Sequence, residues 1–140
     1  MIALSKAIPV LYRLVFVSKS VICGRSVQAL AQLLGAAERN NRRDEISAGL
    51  LFHGDEIVQV AEGARADLDR LVRRVAADPR HTDMVVIEDR PVMQRRFREP
   101  MRLCQADHRC VRDHSGGRRL RDMTAAELER LMSVCSLQAA

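Results

Sequence analysis

Two carboxamide side chains, Asn41 and Gln59, are the groups in this chain best suited to reversible recognition of a polar ligand. A carboxamide has a hydrogen-bond donor at one end and an acceptor at the other, and rotation exchanges the two ends. Taken singly, each has a simpler explanation, because an Asn at a helix end is usually a cap and a Gln on a strand is usually solvated. Whether these two side chains bind a ligand together therefore depends on where their helix and strand place them.

A second set of chemically capable residues lies towards the C-terminal end. Thiolate and imidazole groups suit zinc, but the spacing of this set departs from the usual paired ligands, so free thiols and surface histidines are the favoured interpretation. The irregular spacing of all four cysteines also indicates a reducing, cytoplasmic compartment. The candidate ligands are Cys104, His108, Cys110 and His114.

Catalytic machinery is not indicated by the spacing of the available nucleophiles and bases, which are Ser18, Ser20, Cys23 and His81. No nucleophile is placed beside a base by a recognisable pattern, so we expect no enzyme. A ferredoxin-like acylphosphatase is the nearest enzymatic alternative, and it would need an arginine in an anion-binding loop after the first strand. Cys23-Gly24-Arg25 is a weak candidate for that loop.

The first half of the chain has the pattern of a strand, a helix and a hairpin. A β-branched apolar run at 10–17 predicts the first strand. Apolar residues at three- and four-residue spacing predict a helix over 26–40, with Ser26 as its N-cap. Runs at 46–52 and 56–61 flank a turn containing glycine and predict a hairpin.

The next segment completes a familiar order of elements. Leu68 to Val75 has helical spacing that stops at Asp78-Pro79, and 83–88 predicts a fourth strand. The resulting order, βαββαβ, is an α+β fold of the ferredoxin-like or split βαβ type, with both helices on one face of the sheet.

The rest of the chain predicts smaller additions. Residues 97–104 are a candidate fifth strand, and Ser115-Gly116-Gly117 marks a loop. Thr124 to Glu127 has the pattern of a capping box that opens a final helix. We therefore expect a core over residues 1–103 and a C-terminal extension over 104–140 holding a loop and one capping helix.

Several separated motifs, in order, resemble the BLUF family, whose members are blue-light sensors that use FAD. The resemblance covers about residues 11–103 and is specific because the motifs combine. The motifs are Asn40 to Leu51, Gln59-Val60-Ala61-Glu62-Gly63, Ala77 to Thr82 and Arg95-Arg96-Phe97.

This resemblance implies that FAD lies between the two helices. A flavin ring needs apolar walls and polar groups at its edge; Leu33, Ala37 and Val75 would form the walls. Asn41 would hydrogen-bond the polar edge, and Gln59 would face N5 and act as the light-responsive amide. The other residues implied around the flavin or its supporting loop are Asn40, Arg74, Asp78, Arg80, His81, Phe16 and Met101.

Phe16 marks the main departure from the family pattern. It stands two residues before Ser18, where the family's photochemistry needs a tyrosine, and it has no hydroxyl to donate. Tyr12 is on the same face of the strand but about 13 Å along it. Smaller departures are Ala48 for a glycine, Ala61 for a leucine and Pro100-Met101 for a Trp-x-Met segment. We expect FAD binding with impaired or atypical photochemistry, and the alternative is a flavin-free interaction domain.

Composition limits the remaining function classes. The net charge is +5, but one Tyr, three Phe and no Trp leave few side chains to stack on bases, so a nucleic-acid partner is not expected. No apolar run reaches the roughly 18 residues of a membrane helix. Because the extension is short, we expect signalling to a separate downstream protein, a homo-oligomer, and docking through the sheet face opposite the two core helices.

Overall fold

The computed structural model describes residues 10–20, 27–104 and 106–138. Ser26, the expected cap of the first helix, and Cys23-Gly24-Arg25 lie outside these residues. The elements, in chain order, are β1 (Leu11–Ser20), α1 (Val27–Arg43), β2 (Ser47–His53), β3 (Glu56–Gly63), α2 (Arg65–Ala77), β4 (His81–Val92), β5 (Arg102–Cys104), α3 (His108–Ser115), a 3₁₀ turn (Leu120–Asp122) and α4 (Ala125–Gln138).

The strands form one five-stranded sheet in the order β4-β1-β3-β2-β5. β1 lies between β3 and β4 and pairs antiparallel with both, and β5 joins the far edge parallel to β2. The predicted α+β fold of the ferredoxin-like type is confirmed. No helix in the described ranges is long and apolar enough to cross a bilayer.

β1 contributes side chains to a hydrophobic cluster on each face of the sheet, because alternate side chains of a strand point to opposite faces. Leu14 and Phe16 pack on the face that carries α2, in a cluster with Leu68 and Val75. Val15 and Val17 belong to the cluster on the other face.

The face opposite α1 and α2 is covered by the C-terminal segment, which corrects two expectations. The segment contains α3 and the 3₁₀ turn as well as α4, not just a loop and one helix. Leu120, Leu128 and Met132 are fully buried against this face. The chain's own helices therefore occupy the surface that we expected a partner to use.

Both α-helices of the C-terminal segment begin at a side-chain cap, but the sequence analysis predicted only the second of them, α4. The capping box is confirmed: the Glu127 amide donates to Thr124 Oγ1 at 3.2 Å, and the Thr124 amide donates to Glu127 Oε1 at 2.9 Å. α3 was missed, although Asp107 accepts from the Cys110 amide at its start and Gly116, with φ of 64°, ends it. Both are ordinary cap residues.

Several strand boundaries differ from the prediction: β1 continues to Ser20 and β3 to Gly63, β4 begins at His81, and the largest differences are in β4 and β5. β4 continues to Val92 because the charged residues that break the apolar pattern after Ile87 lie at the sheet edge and still pair with β1. The fifth strand is limited to Arg102–Cys104. Its predicted first half is not a strand, because the amides of Arg96 and Phe97 bind a side chain instead of a neighbouring strand.

That side chain is Glu62, a fully buried carboxylate on β3. Arg13 Nε donates to it at 2.8 Å and Ser47 Oγ at 3.2 Å. The Arg96 and Phe97 amides each donate at 2.8–2.9 Å. These bonds satisfy the buried charge and fix the segment between β4 and β5 on the sheet.

Replacing Glu62 by Ala should lower the free energy of unfolding by about 3–5 kcal/mol, because it leaves the buried Arg13 guanidinium and two amides without their acceptor. Urea unfolding of the variant and the parent protein measures this. Glu38→Ala, which removes an exposed carboxylate paired with Arg42, should cost less than about 0.5 kcal/mol. Equal effects of the two substitutions would contradict the assigned role of Glu62.

Candidate functional site

A cavity opens between α1, α2 and the sheet, with about 530 Å³ of empty space that is partly continuous with solvent. Eleven of the twelve residues singled out in the sequence lie around it: Leu33, Ala37, Asn40, Asn41, Gln59, Arg74, Val75, Asp78, Arg80, His81 and Met101. These residues, between 33 and 101 in the chain, thus converge on one site from two helices, two strands and two connecting segments.

The walls of the cavity are aliphatic. Leu33 and Ala37 are four residues apart on α1, and Leu71 and Val75 are four apart on α2, so each pair occupies one helix face. Leu50 of β2 adds to the lining from the sheet. This arrangement suits a flat ligand with apolar faces.

Asn41, in the last turn of α1, supplies a buried polar group to the lining. Its side chain is fully buried, and Nδ2 donates to the Pro100 carbonyl oxygen at 2.8 Å. Oδ1 is buried without a hydrogen-bond partner. Such orphan acceptors are uncommon in folded proteins, so Oδ1 calls for a donor from a ligand or a water molecule.

Gln59 lies on β3 and is almost fully buried. Its carboxamide belongs to the cavity lining and is not one of the buried polar groups that lack a hydrogen-bond partner among the described residues. Phe16 is opposite Gln59 in the β1–β3 register and is 1% exposed in the core under α2, but it is not among the cavity-lining residues. Tyr12 is four residues away, opposite Gly63, with Arg65 over its ring.

Arg74, in the last turn of α2, brings a cation to the lining. Its Nη1 donates to Asp44 Oδ2 at 3.2 Å, while Nη2 is buried without a partner. Asp44 also accepts from Arg43, and that hydrogen bond holds the pKa of the Asp44 carboxyl below its usual value. Two guanidinium groups therefore share one carboxylate, which leaves a net positive charge beside the cavity.

The segment after α2 forms another part of the rim. Arg80 donates to both oxygens of Asp78, at 2.7–3.1 Å, and these bonds lower the pKa of Asp78. His81 Nδ1 lies 3.2 Å from Ser18 Oγ of β1. Burial lowers the pKa of His81 below its ordinary value.

Several lining residues were missed by sequence reasoning: Leu34, Ala36, Leu50 and Leu71. Helical spacing from Val75 could have identified Leu71. Leu50 could have been found from the pairing of β2 with β3, which places it opposite Gln59. The Pro100 carbonyl could not, because its contact with Asn41 spans 59 residues.

Of the four candidate metal ligands, Cys110 and His114 approach each other, with 3.8 Å between Cys110 Sγ and His114 Nδ1. The described residues contain no group of three or more Cys, His, Asp or Glu side chains arranged to hold a metal ion. Cys104 and Cys110 are buried, His108 stacks on His53 at 5.1 Å between ring centroids, and His114 Nδ1 lies 2.8 Å from the Cys110 carbonyl oxygen.

The chemistry of the lining fits the ring system of a flavin. The aliphatic walls match its flat faces, while an unpaired carboxamide oxygen and an unpaired guanidinium nitrogen match the imide N–H and the carbonyl groups at its edge. The lining residues therefore fit a flavin by their own chemistry, without reference to related proteins.

Comparison with known proteins points to the same ligand class. The BLUF family model, described as sensors of blue-light using FAD, matches residues 11–102. Photoactivated adenylate cyclase subunit beta of Euglena longa is 34% identical over 88 residues, which cover 62% of this chain and 10% of that protein. The chain thus spans about a tenth of the length of such cyclase relatives.

Two further matches agree. The blue light- and temperature-regulated antirepressor BluF of Escherichia coli (strain K12) is 29% identical over 59 residues, covering 42% of this chain and 15% of that protein. The dark-state structure of BlrB, a BLUF protein, superposes with a TM-score of 0.73 at 28% identity, covering 91% of this chain and 98% of BlrB. This chain therefore belongs to the BLUF family of sensors of blue light using FAD.

Proposed function

We propose that the chain binds FAD between α1 and α2 and serves as a blue-light sensor-type domain with altered photochemistry. The observation that carries this proposal is the convergence of Asn41 and Gln59 on one cavity with aliphatic walls. The unpaired Asn41 Oδ1 supports it further, because a flavin imide N–H would satisfy that oxygen.

In this proposal, each residue has a limited task. Leu33, Ala37 and Val75 contact the faces of the ring, and Asn41 holds its imide edge. Gln59 meets the N5 side, as the family resemblance implies, where its carboxamide can present either end. The remaining polar residues, Asn40, Arg74, Asp78, Arg80 and His81, orient the flavin or support the rim, and Met101 closes it beside Pro100.

Phe16 alters what light absorption can achieve. The family resemblance assigns its position to a tyrosine that donates an electron and a proton through the glutamine. Phe16 is buried opposite Gln59, but it offers neither a hydroxyl proton nor a hydrogen bond to the carboxamide. The domain therefore holds flavin without the family's ordinary photocycle.

The output of the domain is also a proposal. The matched relatives include cyclases whose names describe photoactivation, and this chain matches a tenth of their length. We propose that residues 1–103 form the flavin-binding core and that 104–140 are an extension through which a separate cytoplasmic partner is regulated. We further propose that the chain forms homo-oligomers.

Asn41→Ala should weaken FAD binding about tenfold or more, because it removes both the acceptor for the ring edge and the bond to Pro100. Quenching of FAD fluorescence during titration measures the affinity. Gln32→Ala, which removes an exposed amide on the same helix, is the matched control and should leave affinity unchanged. A parent protein that takes up no FAD would support the flavin-free interaction domain instead.

Blue light should produce no family-type red shift in the absorption spectrum of the FAD-loaded parent protein, because Phe16 cannot supply the proton. Phe16→Tyr should restore that shift. Phe52→Tyr, on a strand position that does not line the cavity, should not. A red shift in the parent protein would show that Phe16 is not the impairment assigned to it.

A further inference from the structure

We propose that this domain also reports the reduction state of its flavin in the dark, with Arg74 favouring the reduced form and Gln59 reading it. The inference rests on the proposed binding of FAD between α1 and α2. It concerns a different signal from light, and it arises from the unpaired guanidinium nitrogen of Arg74 and the carboxamide of Gln59 in this cavity.

Arg74 is the first of them. It shares Asp44 with Arg43, so the cluster carries a net charge of +1 at the edge of the cavity. Its Nη2 is buried and has no acceptor in the structure. A buried guanidinium N–H without a partner is costly, and a ligand oxygen carrying negative charge is the partner that would offset the cost best.

Reduction of a flavin creates such an oxygen. A hydride donor of the reduced-nicotinamide class transfers two electrons and one proton: its C–H bond breaks, an N–H bond forms at flavin N5, and the donor becomes oxidised nicotinamide. The flavin ring gains one negative charge, shared between N1 and the adjacent carbonyl oxygen. A fixed cation beside the ring binds this anion more tightly than the neutral oxidised ring.

Gln59, which lines the same cavity, is the second of these groups. Reduction converts N5 from a hydrogen-bond acceptor into a donor, so a carboxamide beside it must present its oxygen instead of its NH₂ group. The residue opposite on β1 is Phe16, which cannot hold the carboxamide in one orientation. The amide is therefore free to follow the flavin.

The position of Gln59 gives the change a route to the C-terminal segment. Gln59 pairs with Leu50 of β2, and Leu50 pairs with Leu103 of β5. Leu50 and Met101, two residues before Leu103, also line the cavity. A reorientation of the Gln59 side chain on β3 is thus separated by one strand, β2, from β5, which leads to α3 and α4.

The midpoint potential of bound FAD tests the role of Arg74. Equilibration with reference dyes without oxygen should give an Arg74→Gln potential about 30 mV more negative than the parent, which is a tenfold change in relative affinity for the two states of a two-electron couple. Arg74→Lys should restore most of the difference. Arg73→Gln, an exposed neighbour, should have no effect; an equal shift in Arg73→Gln, or none in Arg74→Gln, overturns the inference.

The side-chain amide resonances of Gln59 test the readout. In ¹⁵N-labelled FAD-loaded protein kept dark, reduction by dithionite should shift them, and Gln59→Leu identifies the signals. Unchanged resonances refute the readout while leaving FAD binding intact. A colourless protein that takes up no FAD overturns both proposals, so the two failures are distinguishable.

Discussion

The buried Glu62 carboxylate is the interaction on which the geometry of the site depends. It accepts from Arg13 on β1, from Ser47 on β2 and from the backbone of Arg96 and Phe97. These donors hold the segment between β4 and β5 against the sheet. That segment continues to Pro100, whose carbonyl oxygen accepts a hydrogen bond from Asn41. The position of the cavity rim therefore depends on the Glu62 carboxylate of β3.

This network lies on the face of the sheet that carries the C-terminal segment, because Arg13 is two residues from Val15 and Glu62 is two residues from Val60, and both valines pack there. Arg13 and Arg96 also approach Glu129 of α4, at 3.5 and 3.2 Å. Glu56 adds a second anchor by accepting from the Leu120 amide and from Arg121. These polar bonds therefore hold the C-terminal segment and the segment before β5 on the same face of the sheet, and the segment before β5 reaches the cavity through the Pro100 carbonyl.

Local patterns were sufficient to predict the order of the first six elements, because the periodicity of apolar residues reflects which faces are buried. They also predicted the capping box at Thr124, a contact within four residues. They failed at α3, where His108 to His114 are mostly polar, and at the segment before β5. In that segment the amides of Arg96 and Phe97 bind a carboxylate more than thirty residues away, and no local pattern records such a bond.

The site followed a similar division. The family resemblance placed Asn41, Gln59 and Arg74 around one ligand, and all three residues line the cavity. The sequence does not show that Asn41 and Arg74 each have a buried polar atom without a hydrogen-bond partner. That property depends on distances between elements, and it is the physical reason to expect a polar-edged ligand at this place.

A crystal structure of the chain grown with FAD is the most direct test of this account. The account predicts the flavin ring between α1 and α2, with Asn41 Oδ1 bonded to its imide N–H and the Gln59 carboxamide at N5. A flavin bound elsewhere, or a ring in the cavity that leaves both amides without contact, would contradict it.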